Sequence, residues 1–205
     1  MKRPNTLSIS LARMPNVNFL EVAAGMRGMY GIETVYYYIV DSKFRKSVSV
    51  QQWLKEGLAE LSEELPVFPG PADDGKARTC LSWVKGMMTY TGDTVTWNMT
   101  ERWQTPKESI LSGKGDCEDG AVLLYALMRK NGFTDDQMFL TCGNVEGGGH
   151  CYLVYVSNKN AVHYVLDWCY WPKDSLRVKY GENANYFFGE KEWFRFNSSG
   201  AYVRR

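Results

Sequence analysis

Cys117 stands between Asp116 and the pair Glu118-Asp119, directly after the turn GKG and at the head of the run CEDGAVLLYALMRKNG. Peptide dipoles and free N–H groups at a helix N-terminus lower a thiol pKa, whereas neighbouring carboxylates raise it. The placement suits a nucleophile, and equally an inert cysteine buried in a first turn. A thiolate nucleophile needs an imidazole to take and return its proton, and the chain holds only His150 and His163. His150 follows Gly147-Gly148-Gly149, which leave room around the ring, so it is the candidate base. His163, between Val162 and Tyr164, reads as a structural strand residue. The third member is Asp167: if 150–156 and 162–168 form a hairpin with a two-residue turn at Asn158-Lys159, His150 lies directly opposite Asp167, which then orients the imidazole. A slip of one residue would put the two on opposite faces. In the favoured register Cys151 points away from the site into the core, and Cys169 is given no chemistry.

The elements that must position these groups follow from capping signals and periodicity. Asp116 is the expected N-cap of a helix from Cys117 to about Lys130, with Val122, Leu124, Tyr125 and Met128 on its apolar face and Gly132 as its stop. Thr105 at the N-cap, Pro106 at N1 and Glu108 at N3 announce a short helix that Gly113 ends. Upstream, helices are expected over 17–29, 50–64 (Ser49 and Gln52 as a capping box) and 77–90, with a strand at 33–40 and a short segment VTWNM. Downstream, QMFLTCG, HCYLVYV and VHYVLDW read as strands, EGGG as a flexible approach and EWFRFNSSGAYV as a final hairpin. Helices followed by an antiparallel sheet make an α+β pattern. The stretch PVFPGPADDG, 66–75, with three prolines and two glycines, is the expected boundary between an N-terminal extension, 1–70, and the domain proper, 71–205. Residues 1–16 show no period and read as an arm.

Bulk composition excludes several classes. With 24 Lys and Arg against 23 Asp and Glu, the net charge of +1 offers no electrostatic case for nucleic acid or an anionic membrane as partner. Five cysteines without a CxxC pair suggest neither a disulfide framework nor a zinc ribbon. The segment MKRPNTLSISLARMPNVNF lacks the apolar core of a signal peptide, and no stretch of about eighteen apolar residues is present. A soluble protein in a reducing setting, cytoplasmic or virion-associated, is therefore expected. Trp97, Trp103, Trp168, Trp171 and Trp193 fall in the latter half, as core or as cleft walls.

GKGDCEDGA, then GGGH, then VLDW, in this order and spacing, resembles the transglutaminase-like branch of the papain-type cysteine enzymes. The longer run WQTPKESILSGKGDCEDGA, 103–121, is similar to the bacterial transglutaminase-like cysteine proteinases, which include periplasmic proteases that clip biofilm adhesins. The resemblance covers about 75–170 and implies a papain/transglutaminase-like core with the nucleophile at a helix N-terminus. It further implies Cys117 as nucleophile, His150 as general base and acid, and Asp167 as the residue holding the imidazole tautomer. An acyl thioester at Cys117 is then resolved by water or by an amine, with the oxyanion held by the Cys117 backbone N–H and a side-chain donor, Gln104 first, Trp103 or Trp97 as rivals. In the adhesin-clipping relatives acidic residues beside the nucleophile help bind calcium, which implies a Ca²⁺ site at Asp116 and Glu118, with Asp119 next to them. Hard carboxylate oxygens suit that ion. The simpler alternative makes Asp116 a cap and Glu118 and Asp119 partners of the helix dipole.

The leading expectation is a cysteine peptidase acting on a peptide or isopeptide bond of a protein or peptide substrate. Acyl transfer to an amine is the second enzyme reading. A non-catalytic module of a larger assembly, such as a phage or virion, is the rival from another class.

Overall fold

A computed structural model describes residues 21–27, 33–41, 46–60, 64–99, 101–145, 148–169, 180 and 192–202. It is an α+β structure, as expected. Three strands come first: β1 (Glu21–Arg27), β2 (Glu33–Asp41) and β3 (Lys46–Ser49). Then follow helices α1 (Val50–Ala59) and α2 (Asp74–Met87), the short strand β4 (Thr89–Tyr90), helices α3 (Asp93–Trp97) and α4 (Pro106–Ser112), strand β5 (Lys114–Gly115) and helix α5 (Cys117–Lys130). A 3-10 turn (Asp135–Gln137) leads into β6 (Met138–Val145), β7 (Gly148–Val156), β8 (His163–Leu166), β9 (Glu192–Phe196) and β10 (Ala201–Tyr202).

The main sheet runs β1-β2-β10-β9-β6-β7-β8, with β3 also on β2, and its pairs are antiparallel. The pairing of Tyr202 with Thr34 joins the N-terminal strands to the rest. Strand alternation sends Cys151, Leu153 and Tyr155 of β7 into the core shared with α5, and Tyr152 and Val154 to the opposite face with Val165. Helix α5 is buried on every side from Glu118 to Met128, because the sheet, α2 and α4 all pack on it. The single apolar face expected from its sequence is thus widened to the whole circumference. No helix among the described residues is long and apolar enough to cross a membrane.

Local sequence anticipates most elements and misplaces some. The helix expected over 17–29 is a strand where it is described: Glu21 pairs with Tyr38 and Ala24 with Val35, so partner strand β2 overrides the weak helical preference of EVAAGMR. The arm, 1–16, lies outside the described residues. Helix α1 ends at Ala59, short of the expected Glu64; 61–63 lie outside the description. Helix α2 begins three residues earlier than expected because Asp73 caps it, accepting a bond from the Lys76 N–H at 3.0 Å. It also stops three residues early, at Met87, after which Thr89 turns to pair in β4 with β5. VTWNM contributes to α3. Of EGGG, Glu146 and Gly147 lie outside the description, and Gly148 and Gly149 already belong to β7.

The β7–β8 register is displaced by two residues from the expected one. Val156 pairs with His163 and Leu153 with Leu166, and the Ser157 N–H bonds to the Val162 carbonyl at 2.9 Å across a four-residue loop in place of a two-residue turn. A shift of two preserves the side-chain face. Asp167 therefore stays on His150's side of the hairpin, diagonal to it instead of directly opposite.

Candidate functional site

The nucleophile candidate is positioned by local chemistry that begins at Thr105. Its hydroxyl accepts the Glu108 N–H at 3.3 Å and the Glu108 carboxylate accepts the Thr105 N–H at 2.9 Å, a reciprocal cap that starts α4. Gly113, at φ 60°, ends α4. Lys114 and Gly115 then pair in parallel with Thr89 and Tyr90. At Gly115 a Cβ would lie 2.6 Å from Asp119, so only glycine lets this strand pass so close to the first turn of α5. Asp116 occupies the N-cap with extended backbone, and its N–H donates to Asp119 Oδ2 at 3.3 Å. Cys117 is consequently the first helical residue.

Around Cys117 the thiol donates to Glu118 Oε2 at 3.1 Å. Burial pushes its pKa well up, and the nearby Cys151 thiol and the Asp116 carboxylate push in the same direction. The Cys117 carbonyl accepts the Trp168 indole N–H at 3.0 Å, a bond across 51 residues that ties the start of α5 to the segment just after Asp167.

From β7, His150 Nε2 lies 2.7 Å from Asp167 Oδ2, both side chains being buried. The other carboxylate oxygen, Oδ1, accepts the Cys169 N–H at 3.2 Å, which fixes the carboxylate plane. Gly143 opposes His150 on β6, and the ring of Tyr152 meets the imidazole edge-on with centroids 5.8 Å apart. The structure thus joins His150 to Asp167 and Cys117 to Asp116 and Glu118. The two groups are linked by the Trp168 bond and by the charge of His150, which acts on Asp116. Cys151 is a core residue, as expected, with its sulfur 3.1 Å from that of Cys142, its partner on β6, but it does not point away from the site: its face of β7 is the one that α5 covers, and its thiol acts on Cys117.

The acidic residues form a larger cluster than the sequence suggests. Asp93 and Glu101 join Asp116, Glu118 and Asp119: ligand oxygens of Asp93, Glu101 and Glu118 lie within 4.8 Å of one another, as do those of Asp93, Asp116 and Asp119. Asp93 Oδ1, Asp116 Oδ1 and Glu118 Oε1 are buried with no hydrogen-bond donor to meet them. Burial raises the pKa of all five, that of Asp93 to about 7, and repulsion from neighbouring acidic groups adds to it at Asp93, Glu101, Glu118 and Asp119. Unmet buried carboxylate oxygens are costly unless a proton or a cation joins them, so the donor set fits a hard divalent ion such as Ca²⁺. Asp119 is the exception, since its oxygens already accept from the Gln104 and Asp116 N–H groups. Asp93 opens the short helix α3 and Glu101 lies in the loop after it, with no motif spacing to α5, so no sequence signal marks them.

Of the expected side-chain oxyanion donors, Gln104 and Trp103 are otherwise engaged. Gln104 is fully buried, and its amide nitrogen donates to the Lys114 carbonyl at 3.0 Å and to the Asp119 carboxylate. It holds the turn before Cys117 and has no N–H left for substrate. Trp103 Nε1 donates to Glu101 Oε1 at 2.9 Å, and its ring packs against Trp53 and Phe196. Trp97 Nε1 is buried without a partner, under the Arg102 guanidinium at 3.8 Å from the ring centroid. Trp171 lies outside the described residues, as does the side chain of Trp193.

With this geometry in view, residues 76–191 match the family described as bacterial transglutaminase-like cysteine proteinase BTLCP. No curated protein matches the chain. Among solved structures, Legionella pneumophila LapG is similar in fold, with a TM-score of 0.55 and 21% identity over 75% of this chain and 79% of LapG. The EGTA-treated form of LapG gives 0.55 at 20% identity over 76% and 78%. Its calcium-bound form gives 0.53 at 19% over 72% and 86%.

Proposed function

The chain belongs to the bacterial transglutaminase-like cysteine proteinases, and from that premise we propose that it hydrolyses a peptide or isopeptide bond through Cys117, His150 and Asp167. The observation that carries this reading is the buried 2.7 Å contact between His150 and Asp167, joined through Trp168 to the first turn of α5. Because Asp167 engages Nε2, the imidazole keeps Nδ1 as the nitrogen that takes the thiol proton. The burial that raises the Cys117 pKa makes such a base necessary. The sulfur attacks the scissile carbonyl, the amine leaves with the proton held by His150, and water resolves the thioester. First-turn N–H groups of α5 have no intrahelical acceptor and face the developing oxyanion, with the Cys117 N–H foremost. As a proteinase the enzyme acts on protein.

The same reading extends to a calcium ion held by Asp93, Glu101, Asp116 and Glu118, the set that contains the three unmet oxygens. When bound, the ion supplies positive charge that lets these carboxylates ionise and cancels their field at the thiol. Asp119 keeps its part in capping and in holding Gln104.

Iodoacetamide labelling with residue-level mass spectrometry, run beside hydrolysis of a quenched peptide library, tests the assignment. Cys117→Ala abolishes both, and Asp167→Asn lowers hydrolysis by about two to four orders of magnitude with the fold intact, through loss of the correct tautomer. Fastest labelling of the intact enzyme at the half-buried Cys169 would refute the nucleophile assignment.

A further inference from the structure

We propose that Tyr90 walls the substrate cleft beside Cys117 and selects an apolar, uncharged residue next to the scissile bond; this rests on Cys117 being the nucleophile. Most large apolar side chains among the described residues are buried, yet Tyr90 is 59% exposed. Its backbone is nonetheless held firmly. Tyr90 pairs with Gly115 in the β4–β5 ladder, and the Thr89 and Thr91 N–H groups bond to the Gly113 and Gly115 carbonyls, each at 2.9 Å. Gly115 is two residues before Cys117 and has no side chain to cover the phenol ring. The other contact of that ring is with Trp168, centroids 6.1 Å apart, and Trp168 both follows Asp167 and holds the Cys117 carbonyl. Tyr90 therefore stands beside both halves of the site, with its backbone held in the β4–β5 ladder and its ring against Trp168 and open to solvent.

An aromatic wall anchored through its backbone contributes a large contact area at the loss of only two side-chain torsions. The phenol lies in the field of Cys117, Asp116, Cys169 and Glu118, and burial together with these groups raises its pKa to about 12, so it stays neutral. A substrate carboxylate pressed against the face of this ring gives up its hydration for apolar contact. Apolar contact is favoured and an acidic residue is disfavoured.

Second-order rates of Cys117 modification by an epoxysuccinyl probe bearing leucine arms on both sides, by the same probe with aspartate arms, and by iodoacetamide test this in the full chain. In the native protein the leucine probe outpaces the aspartate probe. Tyr90→Ala slows the leucine probe about ten-fold, the worth of one aromatic contact, while the iodoacetamide rate changes less than about two-fold; Tyr90→Phe matches the native rate. A leucine-probe to iodoacetamide ratio equal in Tyr90→Ala and native protein overturns the proposal, as does equal reaction of the two probes with native protein. A parallel fall of both rates with a lowered melting temperature also overturns it, by assigning Tyr90 to the fold. Failure of iodoacetamide to modify native Cys117 is a separate outcome that removes the nucleophile and the subsite together.

Discussion

Replacing Gly120 by alanine sets two effects of opposite sign against each other. Gly120 lies in the first turn of α5, where alanine improves helix propensity by about 1 kcal/mol. A Cβ at this position would stand 2.2 Å from Cε2 and Nε1 of Trp168 and 2.6 Å from Cδ1. Carbon contacts settle at roughly 3.5–4.0 Å, so the indole must move by about 1.5 Å. Trp168 is buried against Tyr90 and the core, and it cannot swing into solvent freely. Overpacking costs about 1–3 kcal/mol, and loss of the bond from Nε1 to the Cys117 carbonyl costs about 1 kcal/mol more. The net effect is a destabilisation of about 1–3 kcal/mol, or a fall of about 3–10 °C in melting temperature for a chain of this size. Because Trp168 adjoins Asp167, a displacement near 1 Å also lowers turnover about 100-fold. Calorimetry and peptide hydrolysis read the two effects. In a Trp168→Ala background the same substitution becomes stabilising, since only the propensity remains. A Gly120→Ala protein that melts at or above the native temperature with native turnover would refute the packing argument.

Two further predictions concern stability. In chelator, the protein loses stability as pH rises from about 4 to 7: Asp93 keeps its proton in the folded state up to about 7 while the unfolded chain gives it up near 3.8, and each pH unit in that window costs about 1.4 kcal/mol. Asp93 alone removes on the order of 4 kcal/mol across the window, the loss being complete above pH 7; calcium abolishes this slope, and thermal melts with and without the ion at several pH values check it. Asn131 accepts the Phe68 N–H at 2.7 Å and donates to the Pro66 and Leu127 carbonyls at 2.9 and 2.8 Å, pinning the proline-rich segment to the end of α5. Its replacement by alanine costs about 3 kcal/mol, measured by urea denaturation, without moving the iodoacetamide rate at Cys117.

The parts of the site legible in the sequence are those made by neighbours in the chain. Thr105 with Glu108, and Asp116 before Cys117, are caps whose partners lie three residues away, and each forms where its spacing says it should. The β7–β8 hairpin was legible as to face, because side-chain direction depends only on odd or even displacement. It was not legible as to register, because the loop from Ser157 to Val162 closes on its own hydrogen bonds. Gln104 shows the limit of reasoning from residue type: an amide just upstream of a nucleophile looks like an oxyanion donor, and burial against Lys114 and Asp119 spends its N–H groups elsewhere.

By itself the sequence determined which chemistries were present: one cysteine at a helix start, one accommodating histidine, one aspartate at the end of the next strand, and a helix-opening cap to aim the first of them. These follow from interactions that reach a few residues along the chain. Only the tertiary structure decided that Asp93 and Glu101 converge with Asp116 and Glu118, that Trp168 grips the Cys117 carbonyl, and that Tyr90 stands uncovered beside them. Burial of α5 on every side draws distant loops around its first turn, and no local pattern encodes which loops those are.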